Sequence, residues 1–171
     1  MPIKIKTVTL FTLATLVIAS VTSVIQLQKE AFPDLSGELV FKGIDGSKRS
    51  LNSYKGKPLL ITFWSPNCTL CLAEVTHFNK LYNELQGGNN FELLALSMFY
   101  DRPDRVIASS KQSDMTYPVF FDLQKKLSKA FGNIVATPTS FLLSRDGQII
   151  YRHVGVLDFP LLKQKLIHLI G

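Results

Sequence analysis

Cysteine is nearly absent: the 171 residues hold two, Cys68 and Cys71, beside one tryptophan and three methionines. Two cysteines this close together cannot staple a fold, so a disulfide-knit miniprotein is excluded. Runs of like charge are lacking as well. Lys plus Arg number 19 against 13 for Asp plus Glu, a net +6, but Lys4 and Lys6 sit at the extreme N-terminus, and from residue 31 onward 16 basic residues face 12 acidic ones. With no basic block and no interleaving of basic and aromatic residues, no nucleic-acid partner is expected. There is no internal repeat and no low-complexity tract. A hydrophobic share of 46% and a charged share of 19% are ordinary for a globular protein, which excludes wholesale disorder and collagen. The length suits one domain with an appendage.

One long apolar run is present. Between Lys6 and Lys29 no residue is charged, and Val8 to Leu27 supplies 20 residues, 13 of them apolar. At about 1.5 Å rise per residue this spans roughly 30 Å, the thickness of a bilayer core. Lys4 and Lys6 would stay cytoplasmic, leaving everything after Leu27 outside. A cleaved signal peptide shares the charged start and the apolar stretch. No A-x-A cleavage site follows, and Val21-Thr22-Ser23 is a poor substitute, so a retained inner-membrane anchor is the preferred reading. A buried core helix seldom runs this long without a polar face. The expected division is residues 1–30 as anchor or signal segment with its tether, and residues 31–171 as an exported domain, in the periplasm or an equivalent compartment.

The exported part alternates strand and helix. Glu38 to Phe41 and Lys48 to Leu51 flank Ile44-Asp45-Gly46, a hairpin turn signal. Leu59 to Trp64 is an apolar run of strand length, followed by Ser65-Pro66-Asn67 at a helix start. Cys71, Val75, Phe78, Tyr82 and Leu85 then recur at helical spacing and stop before Gly87-Gly88. Phe91 to Met98 reads as a strand, Asp104 to Gln112 as a helix, Pro118 to Phe121 as a strand and Gln124 to Phe131 as a helix. Thr139 to Leu143 and Gln148 to His153 form a hairpin through Arg145-Asp146-Gly147, and Phe159 to Ile170 closes the chain as a helix. This order predicts an α/β domain, a central sheet covered by helices, with an N-terminal hairpin.

The chemistry concentrates in Cys68-Thr69-Leu70-Cys71, a C-x-x-C where a strand gives way to a helix. Asn67 is the expected N-cap, so the free N–H groups and positive dipole end lie beside Cys68 and favour its thiolate. Such a sulfur attacks disulfides at neutral pH. Cys71 lies on the same helix face, within reach to close a disulfide, and opens the apolar stripe, so it should be the more buried of the two and resolve what Cys68 captures. A static structural disulfide would close too short a loop to stabilise much. Zinc would need two further ligands, and His77, His153 and His168 are scattered, more in keeping with surface or edge positions. No metal and no cofactor is therefore expected. Asn67-Cys68-Thr69 is also a glycosylation sequon, but a glycan there would cover the nucleophile.

Far along the chain, Ala136-Thr137-Pro138-Thr139 precedes a strand. Proline costs no ladder bond at a strand's first residue. Alternatively, a cis Thr137-Pro138 bond would turn the backbone so that Thr137 offers its N–H and C=O to an extended substrate. The residue order does not decide the isomer.

Trp64-Ser65-Pro66-Asn67-Cys68-Thr69-Leu70-Cys71, Tyr117 to Asp122, Thr137 to Leu143 and Asp146-Gly147 together resemble the membrane-tethered thioredoxin-like reductases of the TlpA, ResA and CcmG type, over roughly Phe32 to Gly171. The resemblance implies a thioredoxin-like fold, a disulfide cycling between Cys68 and Cys71, and a cis-Pro138 facing them. Substrate would then meet Trp64, Thr137 and Pro138. It also implies reducing power drawn from a membrane thiol transporter and passed to disulfides of exported proteins, often apocytochrome c. Glu74 matches the family's acidic residue three positions after the second cysteine. It would accept the resolving thiol's proton if buried; the competing reading is a solvated helix carboxylate.

Some positions depart from the pattern: Leu70 replaces the usual proline, Asn67 a common tryptophan and Thr76 a helix-bending proline. Thr62 stands where thioredoxin carries a buried aspartate. Two other functions compete. A thiol peroxidase would use Ser65, three residues before Cys68, but Ile61 occupies the place of its expected proline. A copper-delivery module would bind Cu(I) through the thiolates, yet such proteins space the cysteines one residue wider and add a histidine.

Overall fold

The structure, a computed structural model, describes residue 35, residues 38–86 and residues 90–170. The apolar run expected as anchor or signal lies outside the described residues, and none of the described helices is long and apolar enough to cross a membrane.

Seven strands form one mixed sheet: β1 (Val40–Gly43), β2 (Lys48–Ser50), β3 (Leu59–Trp64), β4 (Glu92–Ser97), β5 (Val119–Phe121), β6 (Thr139–Leu143) and β7 (Ile149–Val154), in the spatial order β2-β1-β5-β4-β3-β6-β7. β3 runs parallel to β4 and β4 to β5, while every other neighbouring pair is antiparallel. Among the described residues four α-helices accompany the sheet: α1 (Thr69–Leu85), α2 (Pro103–Gln112), α3 (Lys126–Ala130) and α4 (Phe159–Ile170). This is the thioredoxin-like fold that the resemblance implied, and β1 with β2 is the N-terminal hairpin expected from the Asp45-Gly46 turn.

The central strand shows why the sheet is covered on both sides. Every residue of β3 is buried, as a strand between two helical layers requires. Its alternate side chains enter separate cores. Leu60 and Trp64 join Phe78 and Leu81 of α1, Val106 of α2 and Leu162 and Leu166 of α4. Leu59, Ile61 and Phe63 join Leu127, Phe131 and Phe141 on the opposite face. There Phe63, Phe131 and Phe141 meet edge to face, their centroids 5.0 to 6.1 Å apart, an arrangement aromatic quadrupoles favour. Thr62, on the α1 face, is buried and accepts a hydrogen bond from the Ser140 hydroxyl at 3.1 Å.

Several boundaries differ from the sequence expectation by one or two residues, and two of these shifts have a local reason. β2 stops at Ser50 because its hydroxyl accepts from the Asn52 N–H and a 3-10 turn begins at Leu51, which is buried. α3 starts two residues late because Lys125 adopts φ 57°, and the buried Asp122 carboxylate receives the N–H groups of Leu127 and Ser128, both at 2.9 Å. The Asp45-Gly46 turn forms as expected, with Gly46 at φ 85°.

Phe141 is fully buried at the centre of the aromatic cluster. Phe141→Ala is expected to lower unfolding stability by about 3–5 kcal/mol, measured by urea denaturation of the oxidised domain.

Candidate active site

β3 and β4 run in parallel and in register, Trp64 opposite Ser97, so the loops leaving their C-terminal ends lie side by side. Those two loops are hydrogen-bonded together. The Ser65 hydroxyl donates to Asp101 Oδ1 at 2.8 Å, and Asp101 Oδ2 accepts from the Met98 N–H at 3.1 Å. Ser65 also accepts twice from its own loop, through Oγ from the Asn67 N–H at 3.3 Å and through its carbonyl from the Cys68 N–H at 3.0 Å. Ser65 and Asp101 are both buried. Burial pushes the Asp101 carboxyl above its ordinary value, while the bonds from Ser65 and Met98 pull it back.

This turn places the start of α1 one residue later than expected. Cys68, with extended backbone, is the N-cap, and its Sγ accepts from the Cys71 N–H at 3.1 Å. Asn67 is not the cap, because its amide is spent in closing the Ser65 turn and its side chain is exposed. The correction brings the sulfur closer to the helix's unpaired amides. Cys68 and Cys71 are joined in a disulfide, S–S 2.06 Å and Cα–Cα 5.2 Å. Cys68 is half-buried at the surface and Cys71 is buried.

One turn further along α1, Glu74 is only 1% exposed. Its Oε1 accepts from the Leu157 N–H at 2.7 Å, while Oε2 has no partner among the described residues. Burial raises the Glu74 carboxyl, against smaller opposing effects of the Leu157 amide and of His153. A solvated helix carboxylate is excluded by this placement.

Thr137-Pro138 is cis. A groove at the protein surface is lined by Ser65, Asn67, Cys68, Thr69, Leu70, Tyr100 and Thr137, which brings Thr137 of the second motif beside the first. Pro138 is buried and its carbonyl accepts from the Gly155 N–H at 2.9 Å. Neither the N–H nor the C=O of Thr137 has a hydrogen-bond partner among the described residues. Leu70 and Tyr100 stand more than half exposed at the groove. Trp64, expected at the substrate face, is instead 2% exposed in the α1-side core. It shares strand parity with Leu60 and turns inward with it, so its ring is not offered to a substrate. His77 is exposed and stacks on Phe159 with centroids 4.8 Å apart, and His153 lies on the edge strand β7. Among the described residues no three His, Cys, Asp or Glu side chains gather as a metal site.

Two expectations follow. Asp101→Ala leaves the buried Ser65 hydroxyl without its acceptor and should cost about 1–3 kcal/mol in a denaturant titration. Glu74, raised above its ordinary 4.5, holds its proton more tightly in the folded than in the unfolded chain. Its stabilising contribution is therefore full below the unfolded value and is lost as pH rises through the folded one. Glu74→Gln removes that loss. Compared across the range above its ordinary value, the variant should gain on the native protein as pH rises from the unfolded to the folded value of Glu74 and hold that gain beyond it, with the gap closing at the acid end.

A model of the AhpC/TSA family matches residues 29–152. Thiol-disulfide oxidoreductase ResA of Bacillus thuringiensis subsp. konkukian is 32% identical over 117 residues, 68% of this chain and 65% of ResA, so the chain spans just under two thirds of that relative's length. The thioredoxin-like protein YneN of Bacillus subtilis is 31% identical over 134 residues, 78% of this chain and 75% of YneN. The crystal structure of StoA from Bacillus subtilis superposes with a TM-score of 0.67 at 25% identity, covering 77% of this chain and 98% of that one. The family match takes in the cysteine turn, the Asp101 loop and the cis-proline strand alike, and on that breadth the chain belongs to the AhpC/TSA family, as a relative of its thioredoxin-fold thiol-disulfide oxidoreductases.

Proposed function

We propose that the protein is a thiol-disulfide oxidoreductase that works as a reductant on disulfides of exported proteins, c-type apocytochromes among them, through Cys68 and Cys71. The observation that carries this reading is the asymmetry of the pair: one sulfur opens to a groove shared with Thr137, and the other lies buried one turn from a buried carboxylate.

In the reduced protein, Cys68 is the nucleophile. The Cys71 amide and the positive end of α1 favour its thiolate. The thiolate attacks one sulfur of a substrate disulfide; that S–S bond breaks, and the other substrate sulfur leaves as a thiolate. Cys71 then gives its proton to Glu74 and attacks Cys68 Sγ, expelling the second substrate sulfur and forming the Cys68–Cys71 disulfide. Two electrons have passed to the substrate, and an external dithiol must restore the pair. Glu74 suits the proton transfer because burial raises its carboxyl, making it a stronger base than a solvated carboxylate. Thr137 holds an extended substrate segment through its two unengaged backbone groups, with cis-Pro138 setting their direction. Trp64 supports this site from within, beneath the substrate face.

The apolar run Val8 to Leu27 supports tethering of the domain at the outer face of a membrane, with a membrane thiol transporter as electron donor. The peroxidase reading needs Ser65 to serve the attacking sulfur, whereas its hydroxyl proton is committed to Asp101.

The test is turnover of a protein disulfide with a chemical dithiol as donor. Cys68→Ser should abolish it. Cys71→Ser should stall as mixed disulfides on Cys68, isolable by partner mass. Glu74→Gln should slow resolution at least tenfold near neutral pH, in line with the usual contribution of general-base catalysis, about 100-fold or more. If the native domain shows no reversible disulfide in a glutathione titration, the assignment fails.

A further inference from the structure

Glu74 reaches across 83 residues of sequence for its one hydrogen bond, and the donor it finds is itself held from the other side. The Leu157 N–H that bonds to Glu74 belongs to the same peptide group as the Val156 carbonyl. That carbonyl is 2.9 Å from His153 Nε2. Because a carbonyl oxygen only accepts, Nε2 carries the proton, and the imidazole donates. We propose that His153 is a positioning residue for Glu74: its ring fixes and polarises the Val156–Leu157 peptide group whose N–H the buried carboxylate depends on.

The turn between them is built for this. Gly155 sits at φ 100°, a conformation side chains other than glycine's rarely adopt. Its N–H bonds to the Pro138 carbonyl at 2.9 Å. The strap from His153 to Leu157 is thus fastened at the cis-proline by Gly155, at Glu74 by Leu157, and onto itself by the imidazole. Hydrogen bonds in series through one peptide group strengthen each other, so the ring's hold on the carbonyl is felt at the carboxylate. His153 also acts on Glu74 through space, favouring its ionised form. Tyr117, in the segment before β5, is buried and has its hydroxyl pushed up by that burial and by Glu74. Cys71 and His77 flank Glu74 on α1. Tyr151 stacks beside His153 at 6.2 Å, with Lys165 Nζ over the Tyr151 ring at 5.3 Å. The Asp158 carboxylate is taken by the Leu161 N–H at 2.9 Å.

This inference rests on the proposed role of Glu74 and deepens it, so its test reads Glu74 directly and without turnover. The oxidised protein, labelled with 13C at glutamate carboxyls, is titrated by NMR as the native chain, His153→Leu and His153→Gln, and Leu157 amide exchange is followed in the same samples. His153→Leu should move the Glu74 midpoint upward and speed Leu157 exchange roughly tenfold, as expected for loss of about one hydrogen bond. His153→Gln, whose side-chain amide can donate to the same carbonyl without charge, should restore most of the Leu157 protection while leaving part of the midpoint shift. An unchanged Glu74 midpoint and unchanged Leu157 exchange in folded His153→Leu would overturn the proposal. Should His153→Leu fail to fold, His153→Phe, which keeps a ring of similar bulk but cannot donate, takes its place: an unchanged Glu74 midpoint with unchanged Leu157 exchange overturns the role. A native protein lacking reductase activity but showing the coupling would sink the proposed function and leave this inference standing.

Discussion

The site depends on a carboxylate kept out of water. A buried acid is tolerated only when something in the fold replaces its hydration, and for Glu74 that replacement is a single backbone amide delivered by the link between β7 and α4. Half of the carboxyl is left unserved, with Oε2 unpartnered among the described residues. A group so poorly satisfied adds little to stability, and it is on functional sites that folds tolerate this kind of cost. The helices packed over β3 keep it there: Val75 and Phe78, one and four residues further on, are both core residues of α1, so the stripe that buries them carries Glu74 inward as well.

The cysteine at the head of α1 is placed by a different rule. Parallel strands deliver their C-terminal loops to one edge of the sheet, and ligands and reactive groups collect there. Here the two neighbouring loops are fastened to each other through Ser65 and Asp101, and the antiparallel β6, on the other side of β3, brings cis-Pro138 to the same edge. The half-exposed sulfur is therefore bounded by three segments from distant parts of the chain, none of which could set its surroundings alone.

Much of this was legible in the residue order. β3, β6 and α4 fall within the stretches their apolar patterns mark, because burial on both faces or along one stripe leaves a clear signature. The inequality of Cys68 and Cys71 was readable from Cys71 beginning the stripe. The inward turn of Trp64 was readable too, since it shares parity with Leu60, but a motif position drew it toward the substrate. What escaped were partnerships between residues far apart in sequence: Asp101 with Ser65, and Leu157 with Glu74. Neither has a local pattern, for each depends on which loops the sheet order makes neighbours. The proline isomer and the one-residue offset of the helix cap belong to backbone geometry that composition does not encode.

Beneath α1, the hydroxyls of Thr62 and Ser140 share one hydrogen bond inside the sheet. Alcohols of this kind keep their protons at any acidity a cell experiences. Under the proposed cycle these alcohols cannot take up a proton from Cys71, and that traffic is left with the seam along the helix where the carboxylate lies.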